Sequence, residues 1–295
     1  MAAENRKLLL IGATGFNRVQ DGLRLDCLPW DHLSEVASVR DYDGLVLSLL
    51  SIASTETRAK VDWGKFTRLL DFSAATDVLT HGGKIIILGD PRFEIPDAKG
   101  QAQPFLRWTG VDFEWSNQPG DSVKFDERNS MFKGYVKHLR AWDYSLRQCR
   151  LNKAVFAERW DLSDLEARGH RISTPVVPVC ANRVGHSIAF TFFQRVTRDG
   201  RIKIPYGLTY VLPKLSLDEN ETLRIVLRDF CDVPFETPEP EWLADINIPG
   251  QKALDARIAE INAALAEQQA ALQQALAERA EARTCLKLLF EAEYA

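Results

Sequence analysis

A chain of 295 residues, with 45% hydrophobic and 26% charged side chains, has enough apolar surface for one large core or two ordinary ones and is not a disordered polymer. Its formal net charge of -4 lacks the basic footprint of a dedicated nucleic-acid binder. No apolar run approaches the roughly 18 residues that a membrane helix needs, and the run Leu8–Ile11 is too short for a signal-peptide core. The cysteines Cys27, Cys149, Cys180, Cys231 and Cys285 lie far apart and without close pairs, so reduced thiols in the cytoplasm are expected, with no metal and no cofactor.

In chain order, residues 7–12 read as a first strand and are followed by Ala13-Thr14-Gly15. Gly-Ala-Thr-Gly at 12–15 resembles the phosphate loop of short-chain dehydrogenases, but the third glycine is missing and residues 18–22 leave no helix to receive a phosphate. A short strand is predicted at 23–28, with a short helix or loop from Pro29. The turn Asp41-Tyr42-Asp43-Gly44 feeds a third strand, which ends in the small polar run from Ser51. The apolar spacing of Trp63, Phe66, Leu69, Leu70, Ala74 and Val78 predicts one amphipathic helix over 62–79. Gly82-Gly83 ends it, and Lys84–Leu88 reads as a strand buried on both faces, closed by Gly89-Asp90-Pro91. Residues 93–117 look like an insertion across the sheet edge. A second helix is expected from Asn129 or Ser130 to Leu146, with Lys133, Lys137, Arg140, Arg147 and Arg150 on its solvated face. Further strands are predicted at 154–160, 172–182 and 187–196, and Asp199-Gly200 signals a β-hairpin into 201–205. A charged helix follows over 218–230.

The strand-helix-strand alternation over the first ninety residues predicts an α/β fold: doubly wound, with a mostly parallel sheet and a β-hairpin. Asp-Tyr-Asp-Gly-Leu-Val-Leu at 41–47, a helix, and then His-Gly-Gly-Lys-Ile-Ile-Ile-Leu-Gly-Asp-Pro at 81–91 resemble the core of class I glutamine amidotransferase-like domains. The resemblance covers about residues 7–91 and, less clearly, 172–230. It implies a flavodoxin-like sheet whose elbow carries a nucleophilic cysteine. Here the elbow reads Gly89-Asp90-Pro91-Arg92, without cysteine, so the resemblance extends to the scaffold and not to its chemistry.

Four prolines punctuate residues 233–250, which reads as an extended strap anchored by Trp242 and as the boundary after a domain at 1–232. Residues 251–295 contain neither glycine nor proline. Leu254, Ile258, Ile261, Leu265, Leu272 and Leu276 follow spacings of three and four, with Gln268 or Gln269 as a polar interruption, so a long, coiled-coil-like α-helix is expected. The apolar turn 285–290 implies docking or a continuing chain. The Pro-Gly, long helix and Lys-Leu-Leu-Phe sequence is similar to bacterial proteins in which another, sometimes nuclease-like, domain follows.

Candidate ligand-binding residues are Thr14, Ser48, Ser51 and Asp90, because ligands of open α/β sheets sit at the carboxyl ends of the strands. Cys180 with His186 forms a candidate nucleophile pair. The preferred expectation is a non-catalytic scaffold or recognition protein, assembling as a homo-oligomer or with a partner protein through the C-terminal helix, in a bacterial multi-component system of the defence type. The alternative is a nucleotide-sensing module or hydrolase with its site at the strand ends. No membrane association is expected; a nucleic acid is a less favoured partner that the basic residues from Lys133 to Arg150 leave open.

Overall fold

The computed structural model describes residues 6–16, 18–20, 22–97, 99–126, 132–198, 201–204, 207–233 and 235, and eleven positions between Arg257 and Arg279. The chain divides into two compact units, Met1–Phe235 and Glu236–Ala295.

The first unit is mixed α/β and is built on a ten-stranded sheet. Its centre is parallel: β3 (Leu23–Leu28), β1 (Arg6–Ile11), β4 (Gly44–Ser48), β5 (Lys84–Leu88) and β15 (Leu208–Leu212) lie in that order. Antiparallel strands flank it. β2 (Arg18–Gln20) pairs with β3, while β12 (Ser187–Phe192), β9 (Ser145–Leu151) and β8 (Val111–Ser116) continue beyond β15. β11 (Val176–Ala181) pairs with β12 away from this path.

Continuous branched apolar sequence makes the central strands bury both faces, since successive side chains alternate. Leu9, Ile11, Leu45, Leu47, Ile85, Ile87 and Val211 join one core with α2 (Trp63–Leu69) and α3 (Phe72–Thr80). Leu8, Leu10, Val46, Ile86, Leu88, Tyr210 and Leu212 join the other with α7 (Glu219–Cys231). Helices therefore cover both faces of the sheet. α4 (Lys133–His138) packs on α7, where the Tyr135 amide donates to Asp229 Oδ2 at 2.8 Å and its hydroxyl donates to Pro213 O at 2.6 Å.

Several expectations are corrected. The single helix over 62–79 is two, because Asp71 leaves the helical conformation and its carboxylate accepts from the Ala74 amide at 2.6 Å, which starts α3 afresh. The second expected helix stops at His138. Leu146 lies instead in β9, so Lys133 and Lys137 are on a helix while Arg147 and Arg150 are on a strand, and no common basic helix face exists. Residues 154–160, read as a strand, begin as the helix α5 (Lys153–Ala157), because Asn152 accepts from the Val155 amide at 3.1 Å. The stretch 172–182 is divided between β10 (His170–Ser173) and β11, which lie in different sheets.

The hairpin strands are present as β13 (Arg195–Arg198) and β14 (Arg201–Ile204), paired antiparallel with Arg198 opposite Arg201. They join β10 in a separate three-stranded sheet, and Asp199 and Gly200 lie outside the described residues. A two-stranded sheet of β6 (Glu94–Pro96) and β7 (Ala102–Pro104) follows the elbow.

In the second unit every described position has helical backbone, and Ile261 and Leu272 are 59% and 61% exposed. Leu254, Ile258, Leu265, Leu276, Trp242, Cys285 and the strap 236–250 lie outside the described residues. No helix of the described residues is long and apolar enough to cross a membrane. Replacing Asp71 with alanine removes the cap that starts α3 and is expected to cost about 1 kcal/mol in urea unfolding, with an unchanged denaturant slope.

Candidate functional site

The order of the parallel strands places the topological switch between β1 and β4, the usual crevice for a ligand. Here the chain fills it. Gly12 takes φ +96°, and a Cβ there would lie 2.4 Å from the indole nitrogen of Trp30. That indole is buried and donates to Ser48 O at 2.7 Å. Ser51 Oγ donates to Gly12 O at 2.9 Å, which ties the two strand ends together. Of the expected ligand-binding residues, Ser51 is thus engaged in closing the crevice. The Ser48 side chain is fully buried in the sheet, and Thr14 is exposed on the loop after β1.

Asp90 follows β5 at the elbow position. Its carboxylate receives Arg92 Nε at 2.9 Å, Arg92 Nη2 at 2.8 Å and the Arg92 amide at 3.0 Å. Burial alone would push the Asp90 carboxyl up, but the hydrogen bonds and charge of Arg92, with Arg58 beyond, hold it below the usual carboxylate range. Arg92 also donates to Asn117 Oδ1 at 2.6 Å, and its guanidinium stands 4.9 Å from the centre of the Tyr144 ring. The Tyr144 hydroxyl donates to Gly89 O at 2.7 Å, and burial raises it well above the ordinary tyrosine value. Arg58 donates to Ile52 O and Ala53 O at 2.9 Å each and lies 4.2 Å from the Phe93 ring centre. The elbow is therefore held by four arms of the chain: the segment after β4, the residues after β5, Asn117 after β8, and Tyr144 just before β9.

Beside this network lies a cleft of about 370 Å³, within the range of small-ligand sites. Pro91, Arg92, Phe93 and Glu94 form one wall, and Val111, Asp112, Phe113 and Trp115 form the other. Phe113 and Trp115 stack with ring centres 5.4 Å apart.

Cys180 and His186 are not joined by a hydrogen bond. Cys180 is 2% exposed and packed in the second core, and burial pushes its thiol up to about 11, away from the thiolate that a nucleophile needs. The backbone amide of His186 donates to Asn182 Oδ1 at 2.9 Å in the turn between β11 and β12. Among the described residues, no group of three or more His, Cys, Asp or Glu could hold a metal ion.

Sequence reasoning found Asp90 but not its partners. The Asp-Pro-Arg spacing after a buried strand is a local signal for the Asp90–Arg92 pair, whereas Trp30, Tyr144 and the cleft depend on contacts distant in sequence.

No family model matches the chain, and no curated protein matches it. Among solved structures, a cold-adapted β-galactosidase from Rahnella sp. R3 is similar at 11% identity with a TM-score of 0.33, over 80% of this chain and 33% of that one. The chain thus spans about a third of that protein's length, and likeness at this level carries no argument about fold or activity.

Asp90→Asn is expected to destabilise the protein at neutral pH by about 1 kcal/mol, allowing for solvent screening of a half-exposed carboxylate. A carboxylate held low stabilises the fold above its unfolded value near 4 and loses that contribution as pH falls through the folded value. The gap between wild type and variant, measured by urea unfolding across pH, should therefore close below about pH 4. In thiol titration with a disulfide reagent at pH 8, Cys180→Ala should leave the number of rapidly reacting thiols in the folded protein unchanged and remove one after unfolding.

Proposed function

We propose that this chain is a non-catalytic recognition and assembly protein, in which an amidotransferase-like α/β unit supplies a rigid body and the C-terminal unit supplies self-association. The observation that carries the reading is the internally occupied elbow and switch crevice: Arg92 engages Asp90, and Trp30 engages Ser48 O where a ligand of this architecture would approach. The strand order β3-β1-β4-β5-β15 supports the flavodoxin-like part of the reading, since it matches the doubly wound order 2-1-3-4-5. Gly89-Asp90-Pro91 in place of a cysteine elbow supports the absence of acyl chemistry.

Self-association is supported by Ile261 and Leu272, large apolar side chains left exposed on helical backbone and placed at the spacing of a helical seam. The cytoplasm and a bacterial defence-type system belong to the same reading and rest on the sequence alone.

The test is the solution mass of the full chain by light scattering, beside an Ile261→Glu/Leu272→Glu variant. A dimer or larger assembly that falls to monomer in the variant is expected. A monomeric wild type, or a variant of unchanged mass, overturns the assembly reading. ATP and NAD should leave the melting temperature in place; a rise of several degrees with either would move the protein to the nucleotide-sensing class.

A further inference from the structure

β8 is the terminal strand of the large sheet, and its register shows which of its backbone groups lack a partner. The Asn152 amide donates to Gly110 O at 2.9 Å, and Asp112 stands opposite Arg150. In an antiparallel ladder, hydrogen-bonded and non-hydrogen-bonded pairs alternate, so Gly110, Asp112 and Glu114 bond inward to β9. The N–H and C=O of Phe113 then point away from the sheet, and among the described residues no hydrogen bond reaches them. The cleft described above touches Val111, Asp112 and Phe113 alike. Consecutive strand residues face opposite ways, so a cavity that touches all three borders the open edge of the strand and not one of its faces.

We infer that this edge is a strand-addition groove for an extended peptide of a partner protein, in which apolar and basic side chains alternate. The backbone requirement follows from the outward Phe113 groups, which only another main chain in extended form satisfies in register. The side-chain requirement follows from the two faces of β8. On one, Phe113 and Trp115 are half-buried aromatics. On the other, Asp112 is exposed, with only the Asn152 amide bonded to its carboxylate, and Glu94 is exposed on the facing wall. Two arginines line the cleft and both are engaged, Arg92 by Asp90 and Asn117 and Arg107 by Glu158 at 3.8 Å, so the charge left for a partner is negative. At about 3.3 Å per residue, Val111 to Trp115 offers roughly 13 Å of edge, room for three to five extended residues. The inference deepens the recognition part of the proposed function and does not involve the C-terminal unit, so the mass measurement and the following titration fail separately.

The experiment is fluorescence anisotropy of the full chain with a short, end-capped, labelled peptide that alternates lysine and valine. Saturable binding is expected, with up to about tenfold loss when the amides of one peptide edge are N-methylated, because the N–H that donates to Phe113 O is removed. Asp112→Asn combined with Glu94→Gln, checked for an unchanged melting temperature, should weaken binding several-fold and flatten its salt dependence. Equal binding of the probe methylated on either edge overturns the inference. So does failure of lysine-valine, glutamine-valine and glutamate-valine probes alike at millimolar concentration. A preference for the glutamate probe overturns the basic occupant, and a self-associated chain whose mass the probe does not change and which does not bind it assigns the edge to a second copy instead.

Discussion

The architecture depends on how closely two strand ends can approach at Gly12. With no side chain and a positive φ, this residue lets the Trp30 indole lie against the backbone and donate to Ser48 O. Any Cβ would displace either the ring or the strand. Once seated, Trp30 packs within 6 Å of both Trp63 and Phe66, and Phe66 stacks on Phe105, which stacks on Phe93. One aromatic layer thus runs from the first strand end, over the helices after β4, to the segment after β5. The same feature that makes the sheet coherent removes the space in which related architectures hold a ligand.

The polar counterpart of that layer is the Asp90–Arg92 pair. Its position after a buried strand would be costly for an isolated charge, and the arrangement offsets the cost by giving the guanidinium two carboxylate oxygens, an amide oxygen and a tyrosine face. Tyr144 connects this network to the start of β9, so the elbow and the far flank of the sheet are braced through one side chain. The elbow beside the open strand edge is thus a surface held in place by contacts within the chain.

Legibility in the sequence followed locality. β1, β4 and β5 announce themselves by branched apolar runs, and α7 by its period and the Asp218 cap. The helix over 62–79 misled because the apolar period runs through Leu70-Asp71 unbroken, while the break comes from the aspartate's own hydrogen bond to Ala74. The helix expected up to Leu146 failed for a tertiary reason: Trp142 exchanges backbone bonds with Gly120 and turns the chain into β9. Asp90 was visible as a residue at a strand end, but its engagement with Arg92 is a matter of geometry. The cleft was invisible because β8 and β9 are separated by nearly thirty residues that carry no hairpin signal.

The insertion between β5 and β15 has a kinetic consequence. These strands are neighbours in the parallel centre, yet Lys84 and its partner Leu208 are more than a hundred residues apart in the chain. β3, β1, β4 and β5 can pair through short connections, while β15 and α7 must wait for a long loop to close. Until they do, β5 presents an unpaired edge, with Ile86 and Leu88 uncovered on the face that α7 will occupy. The insertion that brings β8 to the outer edge therefore also sets the length of the loop that must close before the parallel centre is complete.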